Sequence, residues 1–175
     1  DVSSSAWYYD AAKYVTDKQL MSGEKPYVFG ADEALTRAEV ASALYNLAGQ
    51  PKVELASFTD VPVTHQARTA IAWAAKTGIM KGVGDNKFEP DRSVSREEIA
   101  TLLTRQRKLS GVDVTADKNE VSAFVDSAKI SSWAVDGVAY CTKSGLVKGN
   151  PGKVFAPAGN TTRAELATII QRIAA

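Results

Sequence analysis

Leu35-Thr36-Arg37-Ala38-Glu39-Val40 decides how this chain is read, because the pattern occurs three times. It returns as Val94-Ser95-Arg96-Glu97-Glu98-Ile99 and as Thr161-Thr162-Arg163-Ala164-Glu165-Leu166. Each copy sets a hydroxyl residue before an Arg and a Glu three residues after the hydroxyl, then begins an apolar run at helical spacing. Thr36 with Glu39, Ser95 with Glu98 and Thr162 with Glu165 fit the capping box, in which side chains satisfy the orphan N–H groups of a helix start. The Arg has no such explanation. It falls in the first helical turn, where the macrodipole disfavours a cation by about 0.3–1 kcal/mol. Arg37, Arg96 and Arg163 at one offset therefore point to a second role. One is an anion site, in which helix-end N–H groups and a guanidinium fork grip a carboxylate or phosphate. The other is an ion pair to an Asp or Glu that keeps the fold in register.

Composition narrows the function classes. The 175 residues are 45% hydrophobic and 23% charged, ordinary for a globular protein. A net charge of +1 supplies no large field for nucleic acid. No apolar run approaches the roughly 18 residues of a membrane span, so no membrane insertion is expected. The chain begins Asp1-Val2, without a start Met or a signal peptide, the pattern expected of a piece of a longer protein. Cys141 is the only cysteine and His65 the only histidine. Cys141 lies in an apolar helical run as a small buried hydrophobe, and His65 in Pro62-Val63-Thr64-His65 reads as a surface loop residue. No metal, cofactor or catalytic residue is expected.

Other features keep step with the Arg. A glycine precedes each by 14 residues, at Gly23, Gly82 and Gly149 (37 − 23, 96 − 82, 163 − 149). An Asp precedes it by 36, 36 and 37, at Asp1, Asp60 and Asp126 (37 − 1, 96 − 60, 163 − 126). Between Asp and glycine, Trp7, Ala11, Tyr14 and Val15 share one helical face, as do Trp133, Gly137, Tyr140 and Cys141. The second copy aligns as Gln66, Ala70, Trp73 and Ala74. Gly78 with Gly82, and Gly145 with Gly149, read as a helix stop followed by a tight turn. Gln19 replaces the first of these glycines in copy one, which predicts a less sharp helix end. A loop follows, with Phe29, Phe88 or Phe155 pinning it to the core. This divides the chain into modules 1–50, 58–110 and 124–175, with linkers 51–57 and 111–123. Each helix–loop–helix module is too small to bury its own apolar face, so the three are expected to share one core.

These residues resemble the S-layer homology family over nearly the whole chain. The strongest stretch is Phe124-Val125-Asp126, Trp133, Tyr140, Gly145-Leu146-Val147-Lys148-Gly149, Phe155 and Thr162-Arg163-Ala164-Glu165. Copy two matches through Phe58-Thr59-Asp60-Val61, Gly78-Ile79-Met80-Lys81-Gly82, Phe88-Glu89-Pro90 and Ser95-Arg96-Glu97-Glu98, and copy one through Trp7, Gly23 and Thr36-Arg37-Ala38-Glu39. The resemblance implies an all-α, pseudo-threefold, three-pronged bundle. It also implies an extracellular protein held non-covalently to a bacterial cell wall through a secondary cell wall polysaccharide with pyruvylated N-acetylmannosamine. On that ligand it would place Arg37, Arg96 and Arg163 at the carboxylate, and Gly23, Gly82 and Gly149 where the backbone meets the sugar. Trp7 and Trp133 would lie under the sugar ring unless they are core aromatics. Asp1, Asp60 and Asp126 would bind hydroxyls or cap the first helix of each module. Thr36, Glu39, Ser95, Glu98, Thr162 and Glu165 remain helix caps.

Copy two departs from the pattern. Gln66 stands where the family has Trp, and Glu97 adds a carboxylate expected to weaken nearby anion binding, so unequal sites are expected. Arg163→Ala is expected to weaken binding and leave the capped fold intact. A different class of function is a protein-interaction module for neighbouring S-layer subunits or an acidic peptide. A glycosidase would need facing carboxylates, and the Glu residues available are explained as caps.

Overall fold

A computed structural model describes residues 1–23, 25 and 28–174. Among the described residues the regular structure is helical, as the all-α expectation has it. The helices are α1 (Tyr9–Asp17), α2 (Arg37–Leu47), α3 (Arg68–Lys76), α4 (Arg96–Leu109), α5 (Val135–Lys143) and α6 (Arg163–Ala174). Short 3₁₀ segments occupy Lys118–Ala123 and Ser127–Lys129. Backbone pairing between loops is limited to isolated bridges such as Ala34 with Thr162 and Ser95 with Asn160.

The chain forms two compact units, one of Asp1–Ser93 with Thr162–Ala175, the other of Val94–Thr161. In the first, α1 packs on α6 and α2 on α3; in the second, α4 packs on α5. The chain's last helix therefore lies on its first, which a linear stack of repeats would hold at opposite ends. Every one of these pairs joins the second helix of one sequence module to the first helix of another. The helix pair drawn inside one repeat is not the packing unit.

The small residues explain the pairing. The first helices are nine residues each; α1 buries a narrow face of Ala11, Ala12 and Val15, and α3 buries Ile71 and Trp73 among the small Ala70, Ala72 and Ala74. In α5 a Cβ added to Gly137 would meet Thr101 Cα of α4 at 2.9 Å, so the two backbones touch. Cys141 sits in the same seam, fully buried, its thiol donating to Ala100 O at 3.4 Å. Desolvation pushes its pKa up to about 12, the Thr104 hydroxyl offsetting part of the rise. It is a packing residue, inert as a nucleophile.

Copy one's helix end differs from expectation. Gln19 adopts the left-handed conformation (φ 55°) that Gly78 (75°) and Gly145 (69°) take at the same place. Leu20 N–H then reaches back to Val15 O at 2.8 Å, closing the helix as sharply as glycine does. The exchange costs roughly 1 kcal/mol of steric strain. The stretch 111–123 carries the Lys118–Ala123 segment, which packs on α5, and Lys143 Nζ donates to Thr115 O at 3.1 Å.

Candidate functional site

Arg37, Arg96 and Arg163 are the first residues of α2, α4 and α6, and all are buried, at 7%, 7% and 4% exposure. Each guanidinium is committed to the loop of another module. Arg37 Nε donates to Phe88 O (2.8 Å) and Nη2 to Lys81 O (2.7 Å). Arg96 repeats this with Phe155 O (2.7 Å) and Lys148 O (3.0 Å). Arg163 does so with Phe29 O (2.7 Å) and Ser22 O. Each guanidinium also lies over the ring of the Phe whose carbonyl it binds, 4.5, 5.5 and 5.2 Å from the centroid. The Arg is thus a clamp closed on the loop from both ends of its span.

The glycines and aspartates complete the clamp. A Cβ on Gly23 would meet Val28 O at 2.6 Å, one on Gly82 would meet Lys87 O at 2.9 Å, and one on Gly149 would meet the Phe124 ring at 2.8 Å. At Gly23 and Gly82 the loop's own return excludes a side chain, and at Gly149 the Phe124 ring does. Asp60 accepts from Phe88 and Glu89 N–H (2.9 and 2.7 Å), and Asp126 from Phe155 and Ala156 N–H (both 2.8 Å). Asp1 does the same with Phe29 and Gly30. None of them caps a helix: α1 has Tyr8 at its N-cap position, seven residues beyond Asp1, with no side-chain cap bond. Their carboxylates hold the residue after each Phe in the left-handed region, where Gly30, Glu89 and Ala156 have φ of 68°, 57° and 55°. Desolvation raises the carboxyl pKa of Asp60 and Asp126, and the paired backbone N–H bonds outweigh it, so both end below the ordinary value.

The helix ends are not open anion sites. In α2, Arg37 and Ala38 N–H bond Arg92 and Pro90 carbonyls, both at 2.9 Å. Arg96 and Glu97 use Gly159 and Pro157, and Arg163 and Ala164 use Glu33 and Ala31. Glu39, Glu98 and Glu165 N–H groups are taken by Thr36, Ser95 and Thr162 side-chain oxygens, and the Glu carboxylates return to the cap N–H. A carboxylate arriving at any of these helix starts finds its first-turn donors occupied. Arg163 is tied to Phe29, Ser22 and Glu39 within the unit, so its replacement by Ala would remove structural contacts as well as charge.

Trp7 and Trp133 are 69% and 56% exposed, so neither is a core aromatic; the buried one is Trp73, at 4%. A cavity of about 380 Å³ opens within the first unit, lined by the Ser22-Gly23 turn, the start of α2, His65, Gln66, Asp91 and Arg163. This places Gln66 beside the glycine turn of module one and the Arg of module three. Arg163 Nη1 pairs there with Glu39 Oε1 at 2.6 Å, so Arg163 combines the clamp with an ion pair. His65, read as a surface residue, is half-buried and accepts the Ala67 N–H on Nδ1 at 3.1 Å. Its place directly before the Trp-equivalent Gln66 was the available signal. Glu97 is buried, its carboxylate taken by Ser131 N–H (2.8 Å) and hydroxyl (2.9 Å). Among the described residues no group of His, Cys, Asp and Glu is arranged to hold a metal.

The S-layer homology domain model matches residues 1–41, 57–100 and 123–167. The chain is 33% identical over 94% of its length to an amylopullulanase of Thermoanaerobacterium thermosulfurigenes, covering 9% of that protein. It is 32% identical over 94% of its length to exoglucanase XynX of Acetivibrio thermocellus, covering 15%, and 28% identical over 98% to an S-layer protein of Bacillus thuringiensis subsp. finitimus, covering 21%. The shared segment is thus a small part of proteins that differ otherwise.

Proposed function

The chain belongs to the S-layer homology family, and from that premise we propose that it anchors a bacterial surface protein non-covalently by binding a secondary cell wall polysaccharide bearing pyruvylated N-acetylmannosamine. Modules of this family bind the cell wall and are not catalytic. The carrying observation is the exposure of Trp7 and Trp133 at one offset in two modules, 30 residues before the Arg (37 − 7, 163 − 133). A large apolar ring held out in water is a platform for a sugar face. In this reading Gly23, Gly82, Gly149, Asp1, Asp60 and Asp126 act on the ligand through the loops they shape. Arg37, Arg96 and Arg163 fix those loops and lend positive charge beneath them for a carboxylate.

The test is sedimentation with purified, protein-free walls before and after removal of the polymer, and with the polymer depyruvylated. Binding should vanish without polymer, weaken without pyruvate, and fall several-fold in Trp7→Ala or Trp133→Ala. Undiminished sedimentation with stripped walls overturns the reading and favours a protein partner.

A further inference from the structure

We infer that the cavity beside Gln66 takes a neutral, hydroxyl-rich sugar residue rather than the acidic one, so that this chain reads two chemistries along one polymer. The inference rests on the wall-polysaccharide reading and narrows it for this one site. Fixed charge decides first. Arg163 brings one positive charge to the cavity, and Glu39, 2.6 Å away, offsets it. Asp91 adds an exposed carboxylate with no hydrogen-bond partner among the described residues. Among the described lining residues the two carboxylates outnumber the one guanidinium, so a ligand carboxylate entering here meets net negative charge. A ring bearing vicinal hydroxyls meets an acceptor able to take two of them.

The remaining polar groups point the same way. Gln66 has no hydrogen-bond partner among the described residues and offers both a donor and an acceptor. His65 uses Nδ1 to accept from Ala67, so that nitrogen carries no proton and Nε2 is the one left to donate. Arg163, by contrast, already gives Nε to Phe29 O, Nη2 to Ser22 O and Nη1 to Glu39. Glu39 in turn accepts from Thr36 N–H and hydroxyl through its other oxygen. Uncommitted groups are therefore an anion, an amide and an imidazole N–H, a set for hydroxyl and acetamido groups. Ala38, small where α4 carries Glu97, keeps the space open. At about 380 Å³ the cavity falls within the usual range for small-molecule sites.

The experiment titrates the isotope-labelled chain by NMR with the methyl glycoside of N-acetylmannosamine and, separately, with its 4,6-pyruvate ketal. The neutral glycoside should move the Gln66 side-chain amide at least fivefold more tightly than the ketal, and the ketal should move the Trp7 and Trp133 indoles. Asp91→Asn should raise the ketal's affinity at the Gln66 amide several-fold and lower or spare that of the neutral sugar. Equal affinities at Gln66, an unmoved Gln66 amide with both sugars, or a preference unchanged in Asp91→Asn overturns the inference. Indoles silent to both sugars would instead refute the wall-polysaccharide reading, whatever Gln66 does.

Discussion

The starts of α2 and α4 share one framework and differ in charge at one residue. Both begin with a clamp Arg and a capping box, and both give their first two N–H groups to loop carbonyls. The second helical residue is Ala38 in α2 and Glu97 in α4. Beside Ala38 a cavity remains, whereas Glu97 reaches Ser131 and ties down the segment leading into α5. What repeats is the apparatus that holds loops in place. What varies beside it decides whether a space is left for something else.

The largest effect tests whether the frameworks are equivalent. Arg37→Ala and Arg96→Ala each strand two loop carbonyls and remove a buried side chain. Each should destabilise by about 3–5 kcal/mol in urea unfolding monitored by circular dichroism. A loss under about 1 kcal/mol in one and not the other would break the comparison.

Next come the aspartates. Asp60→Asn and Asp126→Asn should each lose about 2–3 kcal/mol at pH 7, since an amide offers one acceptor oxygen to two backbone N–H groups. The folded pKa of both carboxyls is lowered, so the unfolded chain binds their protons first as pH falls. The stabilisation is complete above the unfolded value near 3.9 and is lost as pH drops through the folded one. Thermal melts should show an acid decline below about pH 4, shallower in either Asn variant.

Glu97→Ala sharpens the difference itself. It frees the Ser131 N–H and hydroxyl and should cost about 1–2 kcal/mol, with faster amide exchange at Ser131 and no change at His65. The smallest effect is a gain. Gln19→Gly relieves the left-handed side chain and should raise stability by about 0.5–1 kcal/mol, read as a higher melting temperature. Gly78→Ala, at the same place in the next module, should lower it.

The repeats and caps were legible in the sequence because they are local: Thr36 and Glu39 sit three residues apart, and the helix start follows from that spacing. The Arg's role was not. The carbonyls it clamps lie 51, 59 and 134 residues away in the chain and carry no side-chain signature; the Arg163–Glu39 pair is the ion pair that the sequence offered as the alternative. For the glycines the sequence says that something comes close, since a missing Cβ permits it, but not what. For Gly23 it is Val28 O. Gln19 misled because a left-handed position looks like glycine's alone, though packing elsewhere can carry the strain. Trp7 and Trp133 stood at helical spacing with core residues, and only burial separates a rim aromatic from an interior one.

The Arg163 clamp also sets a clock. Phe29 O waits for a donor that lies 134 residues downstream. At about 5–20 residues per second the ribosome takes roughly 7–27 s to cover that distance. Until then the first loop has its Asp1 staple and lacks its clamp, whereas the Phe88 and Phe155 loops meet an Arg already made before them. The earliest-synthesised loop is therefore the last to have its clamp made.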